Sequence, residues 1–189
     1  MPYKIIQEKD FITTKWSGGE TTQLMIYPEN ADFSKKNFLF RISSATFTST
    51  ASSFSDFSDY QRYILPLEGE LSVSHDKLYS RKLKQYEVEY FDGAWQTSSE
   101  NSLDCRDYNF IYRKGSQAGL QVLIKGDQQE IKPNTIVTMF SSAKSQLAIN
   151  GEEINVEGFD LLYLDSEGEG ITIEVKENSE PLIFTKFDN

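Results

Sequence analysis

The sequence has one histidine and one cysteine, and these two scarcities exclude a good deal of chemistry. Transition-metal centres are ordinarily built from several imidazoles together with a carboxylate, because that donor set suits such ions. His75, with Glu68 or Glu70 near it in sequence, would make a poor site, so no metal and no other cofactor is expected. The turn His75-Asp76-Lys77 reads as solvent-exposed. A Ser-His-Asp triad would also have to use His75, and no Gly-x-Ser-x-Gly turn accompanies it. Cys105 stands between Asp104 and Arg106 with no base beside it, which describes a buried neutral thiol rather than a nucleophile. It cannot form an internal disulfide. The start MPYKIIQEKD has no apolar signal region and the chain no spanning run, so a reducing cytoplasm is the expected location.

Basic residues are also in short supply. Lys and Arg total 19 against 29 Asp and Glu, a formal charge of −10 with a pI near 4.7. Nucleic acids and anionic membrane surfaces select clustered Lys and Arg, so neither is an expected partner. Small molecules or other proteins remain. A chain of 189 residues holds one domain or two small ones and can bury a sizeable core. No low-complexity segment or linker interrupts it.

What is present is aromatic and strand-like, with ten Tyr and thirteen Phe against two Trp. From Arg62 to Gly93, Leu65, Leu67, Leu71 and Val73 recur at a spacing of two around the break Glu68-Gly69-Glu70, and Leu78, Leu83, Tyr86, Val88 and Tyr90 carry the return strands. This is a β-meander with one apolar face. Slid by roughly 76 positions the pattern recurs, Leu71, Val73, Leu78, Tyr86 and Val88 falling on Leu147, Ile149, Ile154, Leu162 and Leu164, which reads as a duplicated β unit. Asn150-Gly151 marks a two-residue hairpin, since both residues tolerate positive φ.

Taken in order, Ile5, Phe11 and Ile12 open a first strand that leads to Trp16-Ser17-Gly18-Gly19, a tight turn or a close approach of backbone. Thr21, Gln23 and Met25 then alternate with Thr22, Leu24 and Ile26. Pro28 to Lys36 is a turn-rich connection and the only place where a helical turn is expected. In Phe38–Phe47, Phe38, Phe40 and Ile42 share one face, and Arg41, Ser43 and Ala45 the other. Arg62 alternates with apolar neighbours, and Asp107, Asn109, Ile111 and Arg113 form a row opposite three aromatics. Phe91-Asp92-Gly93 is a turn with Asp92 capping and Gly93 at positive φ. A solvent face would carry Lys and Glu in number, whereas these rows carry Arg with Ser, Asn and Ala, the composition of a lined pocket. The plainer alternative pairs the arginines with Asp107, Glu68 or Asp59 in structural networks.

The succession Trp16-Ser17-Gly18-Gly19, Phe40-Arg41-Ile42-Ser43-Ser44-Ala45, Phe54-Ser55, Arg62 with Leu67-Glu68-Gly69, Phe91-Asp92-Gly93 and Asp107-Tyr108-Asn109 resembles the HutD/Ves family. Two details depart from it: Ser17 replaces a common asparagine, and Asp-Tyr-Asn the usual Asp-Phe-Asn. The resemblance implies an all-β bicupin of the RmlC-like superfamily, two cupin-type antiparallel β-barrels or sandwiches in one chain. Residues 1–115 would form the N-terminal barrel with the site and 116–189 the C-terminal one, within a single compact unit and with strands open to exchange between them. It implies a sensor or moderator of histidine or other amino-acid catabolism that binds a small carboxylate, such as formylglutamate or another histidine-pathway intermediate. In the site, Arg41 and Arg62 would present donor forks to a carboxylate, Thr21, Ser43 and Asn109 would orient it, Trp16 would form an apolar wall, and Asp107 would stand beside the arginines. Two alternatives stay open: a metal-free isomerase or hydrolase using Asp107 or Glu68 as general base, and a non-catalytic interaction module with a filled barrel. Sheet edges leave a homodimer open as well.

Overall fold

A computed structural model describes residues 3–189. In chain order its strands are β1 (Tyr3–Ile6), β2 (Ile12–Trp16), β3 (Gly19–Tyr27), β4 (Phe40–Phe47), β5 (Ala51–Ser53), β6 (Tyr60–Glu68), β7 (Leu71–His75), β8 (Tyr79–Leu83), β9 (Glu89–Asp92), β10 (Thr97–Asn101) and β11 (Arg106–Arg113). The second half adds β12 (Ala118–Leu123), β13 (Gln128–Ile131), β14 (Thr135–Phe140), β15 (Ser145–Ile149), β16 (Glu152–Val156), β17 (Leu161–Asp165), β18 (Ile171–Asn178) and β19 (Leu182–Asp188). Helical structure among the described residues is limited to single 3-10 turns at Glu8–Asp10 and Phe33–Lys35. The second lies in the connection where a turn was expected; the first was not foreseen.

Two compact units divide the chain, Ile12–Gly115 and Ser116–Asn189, the latter joined by the residues up to Phe11. In the first, a six-stranded sheet β2-β3-β4-β11-β6-β9 faces a four-stranded sheet β5-β10-β7-β8; in the second, β1-β17-β14-β19-β12 faces β13-β18-β15-β16. Ile64 and Phe91 from one sheet pack with Leu71, Val73 and Leu83 from the other in the first unit. Val137, Met139, Leu162 and Phe184 pack against Leu147, Ile149, Ile173 and Val175 in the second. Period-two alternation supplies these faces: Leu71, Val73 and His75 are buried while Ser72 and Ser74 are half-exposed, as the pleat requires. The units are sandwiches with free edges, the second of the two forms expected, rather than closed barrels.

The duplication is topological. Strands β4-β11-β6-β9 and β12-β19-β14-β17 occur in the same order, as do β5-β10-β7-β8 and β13-β18-β15-β16. The constant slide fails in detail. His75 pairs with Tyr79 across one hairpin and Ile149 with Glu152 across its counterpart, so the first connection is a residue longer and the strands before the turns are offset by 74 (149 less 75). Leu78 accordingly lies in the turn and is exposed, whereas Ile154 pairs with Leu147 inside. Asn150 and Gly151 adopt the positive φ foreseen for a two-residue hairpin.

The expected first strand is in fact two. Ile5 pairs with Leu162 in one unit and Ile12 with Gln23 in the other, with the Glu8–Asp10 turn between them held by Glu8 N–H donating to Asp160 Oδ1 at 2.8 Å.

Gly93 is required by contact rather than by φ. A Cβ there would lie 2.2 Å from Phe57 O and 2.7 Å from Tyr60 O, because the Phe57 amide donates to Gly93 O at 3.0 Å and the Gly93 amide to Tyr60 O at 2.9 Å. Asp92 does cap the turn, accepting from Ala94 N at 2.8 Å. Gly93→Ala must push two backbone segments apart, and its unfolding free energy should fall by about 1–3 kcal/mol in urea titration; an unchanged midpoint would show that the loop yields freely.

Candidate functional site

The register of the six-stranded sheet aligns the polar side chains. Ile111 on β11 is the ladder partner of both Arg41 on β4 and Arg62 on β6. One step along, Asn109 lies between Ser43 and Ile64, and Asp107 follows beyond. Residues two apart on a strand share a face, so these rows point into the sandwich. They line one cavity of about 400 Å³, and Trp16, Thr21, Arg41, Ser43, Arg62, Asp107 and Asn109 all border it. Phe33, Phe47, Phe54, Phe57 and Ile111 supply its apolar wall.

Among the described residues the arginines are buried without carboxylate partners. Arg41 Nε donates to Gln23 Oε1 at 2.9 Å and Nη1 to Ser43 Oγ at 3.4 Å, and its guanidinium lies 3.9 Å from the centre of the Phe33 ring. The Arg62 guanidinium sits 4.9 Å from Phe54 and 5.3 Å from both Phe57 and Phe91, a cation held by three aromatic faces. Its Nε has no hydrogen-bond partner among the described residues. Burial lowers both guanidinium pKa values to about 10; for Arg62 the charge of Asp107 opposes this and that of Arg41 adds to it. The structural pairing with Asp107, Glu68 or Asp59 is not made among the described residues, and Glu68 and Asp59 are exposed.

Asp107 occupies an irregularity. The β6–β11 register shifts between Arg106 and Asp107, and the β4–β11 ladder passes from Arg106–Thr46 to Asn109–Ser43. Its side chain fills the gap: Oδ1 accepts from Ala45 N at 2.8 Å, while its main-chain oxygen accepts from Ser44 Oγ at 2.6 Å. Burial pushes the Asp107 carboxyl up to about 6, against hydrogen bonds from Ala45 and Asn109 and the charge of Arg62. At the mouth, Trp16 Nε1 donates to Thr21 Oγ1 at 3.1 Å. The indole folds over Gly18, where a Cβ would fall 2.1 Å from the ring, which explains the Gly after Trp16-Ser17.

His75 is not exposed. It is 2 % accessible, because β7 continues inward through Leu71, Val73 and His75 and the turn begins one residue later. Its Nδ1 lies 2.8 Å from Thr97 Oγ1 and its Nε2 3.2 Å from Glu89 Oε1. Arg81 Nη1 donates to Glu89 Oε2 at 2.6 Å, and the Tyr79 hydroxyl to Glu89 Oε1. This is a satisfied buried network outside the cavity lining. Among the described residues no three His, Cys, Asp or Glu side chains converge as metal ligands. Cys105 is buried, its thiol pushed up to about 12 by burial and by Asp107 and Asp104. Sequence reasoning passed over Phe33 and Phe47 as lining residues; Gln23, now the partner of Arg41, had a signal in its row with Thr21.

Comparison with known proteins agrees with this architecture. The HutD family model matches residues 8–183. The chain belongs to the HutD family. HutD from Pseudomonas fluorescens SBW25, in its formate condition, is similar with a TM-score of 0.81 and 23 % identity, covering 100 % of both chains. A conserved protein of unknown function from Pseudomonas aeruginosa PAO1 gives 0.85 at 20 % identity, covering 99 % of this chain and 98 % of that one. The nickel(II) complex of a bacterial pirin from Escherichia coli gives 0.64 at 14 % identity, covering 97 % and 98 %. At these identities the likeness is one of fold, and the HutD-family chain is an all-β bicupin. No curated protein matches.

A buried guanidinium whose Nε has no hydrogen-bond partner among the described residues is a stability cost. Arg62→Met should raise the unfolding free energy by about 1–3 kcal/mol, measured in denaturant; a loss of that size would make Arg62 structural. Asp107 supplies a pH test. Its folded pKa lies above the ordinary 3.8, so the stability it contributes is complete below the unfolded pKa and is lost as pH rises through the folded one. Asp107→Asn has no such loss, and its stability relative to the parent should improve by up to about 3 kcal/mol between about pH 4 and pH 7; a constant difference would refute the raised pKa.

Proposed function

We propose that this HutD-family protein binds a small carboxylate in the Ile12–Gly115 sandwich, without a metal ion, and acts in the cytoplasm as a sensor or moderator of histidine or other amino-acid catabolism. The observation that carries this reading is Arg62, a buried cation that borders a 400 Å³ cavity and has no ion-pair partner among the described residues. A buried charge without a counter-ion costs free energy that a bound carboxylate recovers, and a charge-assisted bond there is strengthened by the low local dielectric. Arg41 offers a second fork across Ile111, while Ser43, Asn109 and Thr21 supply orienting hydrogen bonds. Formylglutamate or another histidine-pathway intermediate is the ligand this family membership favours.

One observation favours a second reading. Asp107 borders the same cavity with its carboxyl held at about 6, the range of a general base near neutral pH, and a metal-free isomerase or hydrolase would use it so.

The test is thermal stability against formylglutamate, urocanate, glutamate and formate, with and without a chelator. A ligand at a hundred times its Kd stabilises the fold by about 2.7 kcal/mol. A chelator-independent shift, absent in Arg62→Met, is expected. No shift with any carboxylate overturns the binding reading, and product formation lost in Asp107→Asn would favour the enzyme.

A further inference from the structure

Three ionisable side chains border the cavity, Arg41, Arg62 and Asp107. With all three charged, two cations less one anion leave a formal charge of +1. The rest of the lining is hydroxyl, amide, aliphatic or aromatic, so no other charge is at hand to adjust the balance. Arg41, Arg62 and Asp107 are each at most 9 % accessible, and water screens charges poorly in such a place. A bound monoanion brings the sum to zero. A bound dianion leaves an excess negative charge next to a buried carboxylate, and the cheapest relief is a proton.

Resting on the carboxylate reading above, we propose that the cavity sorts its ligands by charge: a monocarboxylate binds as it stands, and a dicarboxylate binds together with one proton taken up by Asp107.

The geometry makes Asp107 the acceptor. It lies two ladder steps from the arginine row on β11, past Asn109, so a ligand with one carboxylate on Arg41 and Arg62 directs any second one toward Asp107 or back toward the mouth. Protonation there keeps the bond from Ala45, because Oδ1, which accepts from Ala45 N at 2.8 Å, remains a carbonyl acceptor in the acid form, and weakens only the bond from Asn109 that favours the charged form. The groups around it leave no competitor. From β4 and β6 come Arg41 and Arg62, which keep their protons to about 10. Pro66 and Ala45 are uncharged, and the β5 side contributes Ser52 and Ser53. Along the chain Cys105 remains a thiol. Asp107 itself titrates close enough to neutrality for a ligand's charge to tip it.

Succinate and its half-amide succinamate, nearly identical in shape and differing by one charge, test the inference in calorimetric titrations on the whole protein between pH 6.5 and 8.5. Succinamate should bind with pH-independent affinity and no net proton exchange. Succinate affinity should fall about tenfold per pH unit, the slope of one linked proton, with uptake of one proton measured by comparing buffers of different ionisation enthalpy. In Asp107→Asn both effects should vanish and succinate should bind at pH 8.5 as at pH 6.5. Succinate binding to the parent at pH 8.5 without proton uptake overturns the inference and leaves carboxylate binding intact. Uptake that persists in Asp107→Asn places the proton on the ligand and overturns the assignment to Asp107. Binding of neither probe at any pH removes the carboxylate reading and this inference with it. The parent's proton count decides the linkage even where the variant folds poorly.

Discussion

Arg62 brings a full positive charge into an interior that offers it three aromatic rings and, among the described residues, no ion pair, and much of the site is arranged around that. Desolvating a guanidinium is expensive, and the quadrupoles of Phe54, Phe57 and Phe91 offset part of the cost without neutralising the charge. Those rings are themselves held in place by the backbone: the Phe57 amide is pinned to Gly93 O, and Phe91 and Gly93 belong to one turn. The turn that ends β9 thus serves the charge on β6. Had a carboxylate stood within hydrogen-bonding reach, the pair would have closed on itself.

The duplicated topology sets two different interiors on one scaffold. The strands β12–β19 repeat the order of β4–β11, yet the interior of the Ser116–Asn189 unit is filled by Val137, Met139, Leu147, Ile149, Leu162, Leu164 and Phe184. These side chains are apolar and carry no hydrogen-bond donor. In the Ile12–Gly115 unit β4, β6 and β11 carry Arg, Ser, Asn and Asp on the inward face. The added hairpin of β2 and β3 lies beside β4 and contributes Trp16 and Thr21 to the rim. The difference between the units lies in side chains on a shared framework, which is why fold alone does not assign function.

Asp107 and His75 are two buried titratable groups with opposite surroundings. His75 has both ring nitrogens occupied and sits in a network completed by Glu89, Arg81, Thr97 and Tyr79. Asp107 is satisfied by backbone and amide donors but faces an open volume and two arginines that do not touch it. Burial is common to both, whereas Asp107, unlike His75, borders the cavity.

Strand identity and the polar rows were legible along the chain because a β-strand has a fixed period of two, so Arg41 with Ser43, and Asp107 with Asn109, must share a face wherever the strands lie. The repeated meander and the Asn150-Gly151 hairpin were legible for the same local reason. What a sequence period cannot carry is register and connection length. Only the ladders bring Arg41 and Arg62 to the two sides of Ile111, only the extra residue between His75 and Tyr79 spoils a constant offset, and only the inward run of β7 buries the histidine. Whether the units would be barrels or sandwiches was not legible, because strand pairing, which decides whether a sheet closes, is made between residues far apart in the chain. The sequence by itself determined which side chains face together along each strand; the tertiary structure decided which strands meet, and so that two arginines would share a cavity with one aspartate and pair with no acid.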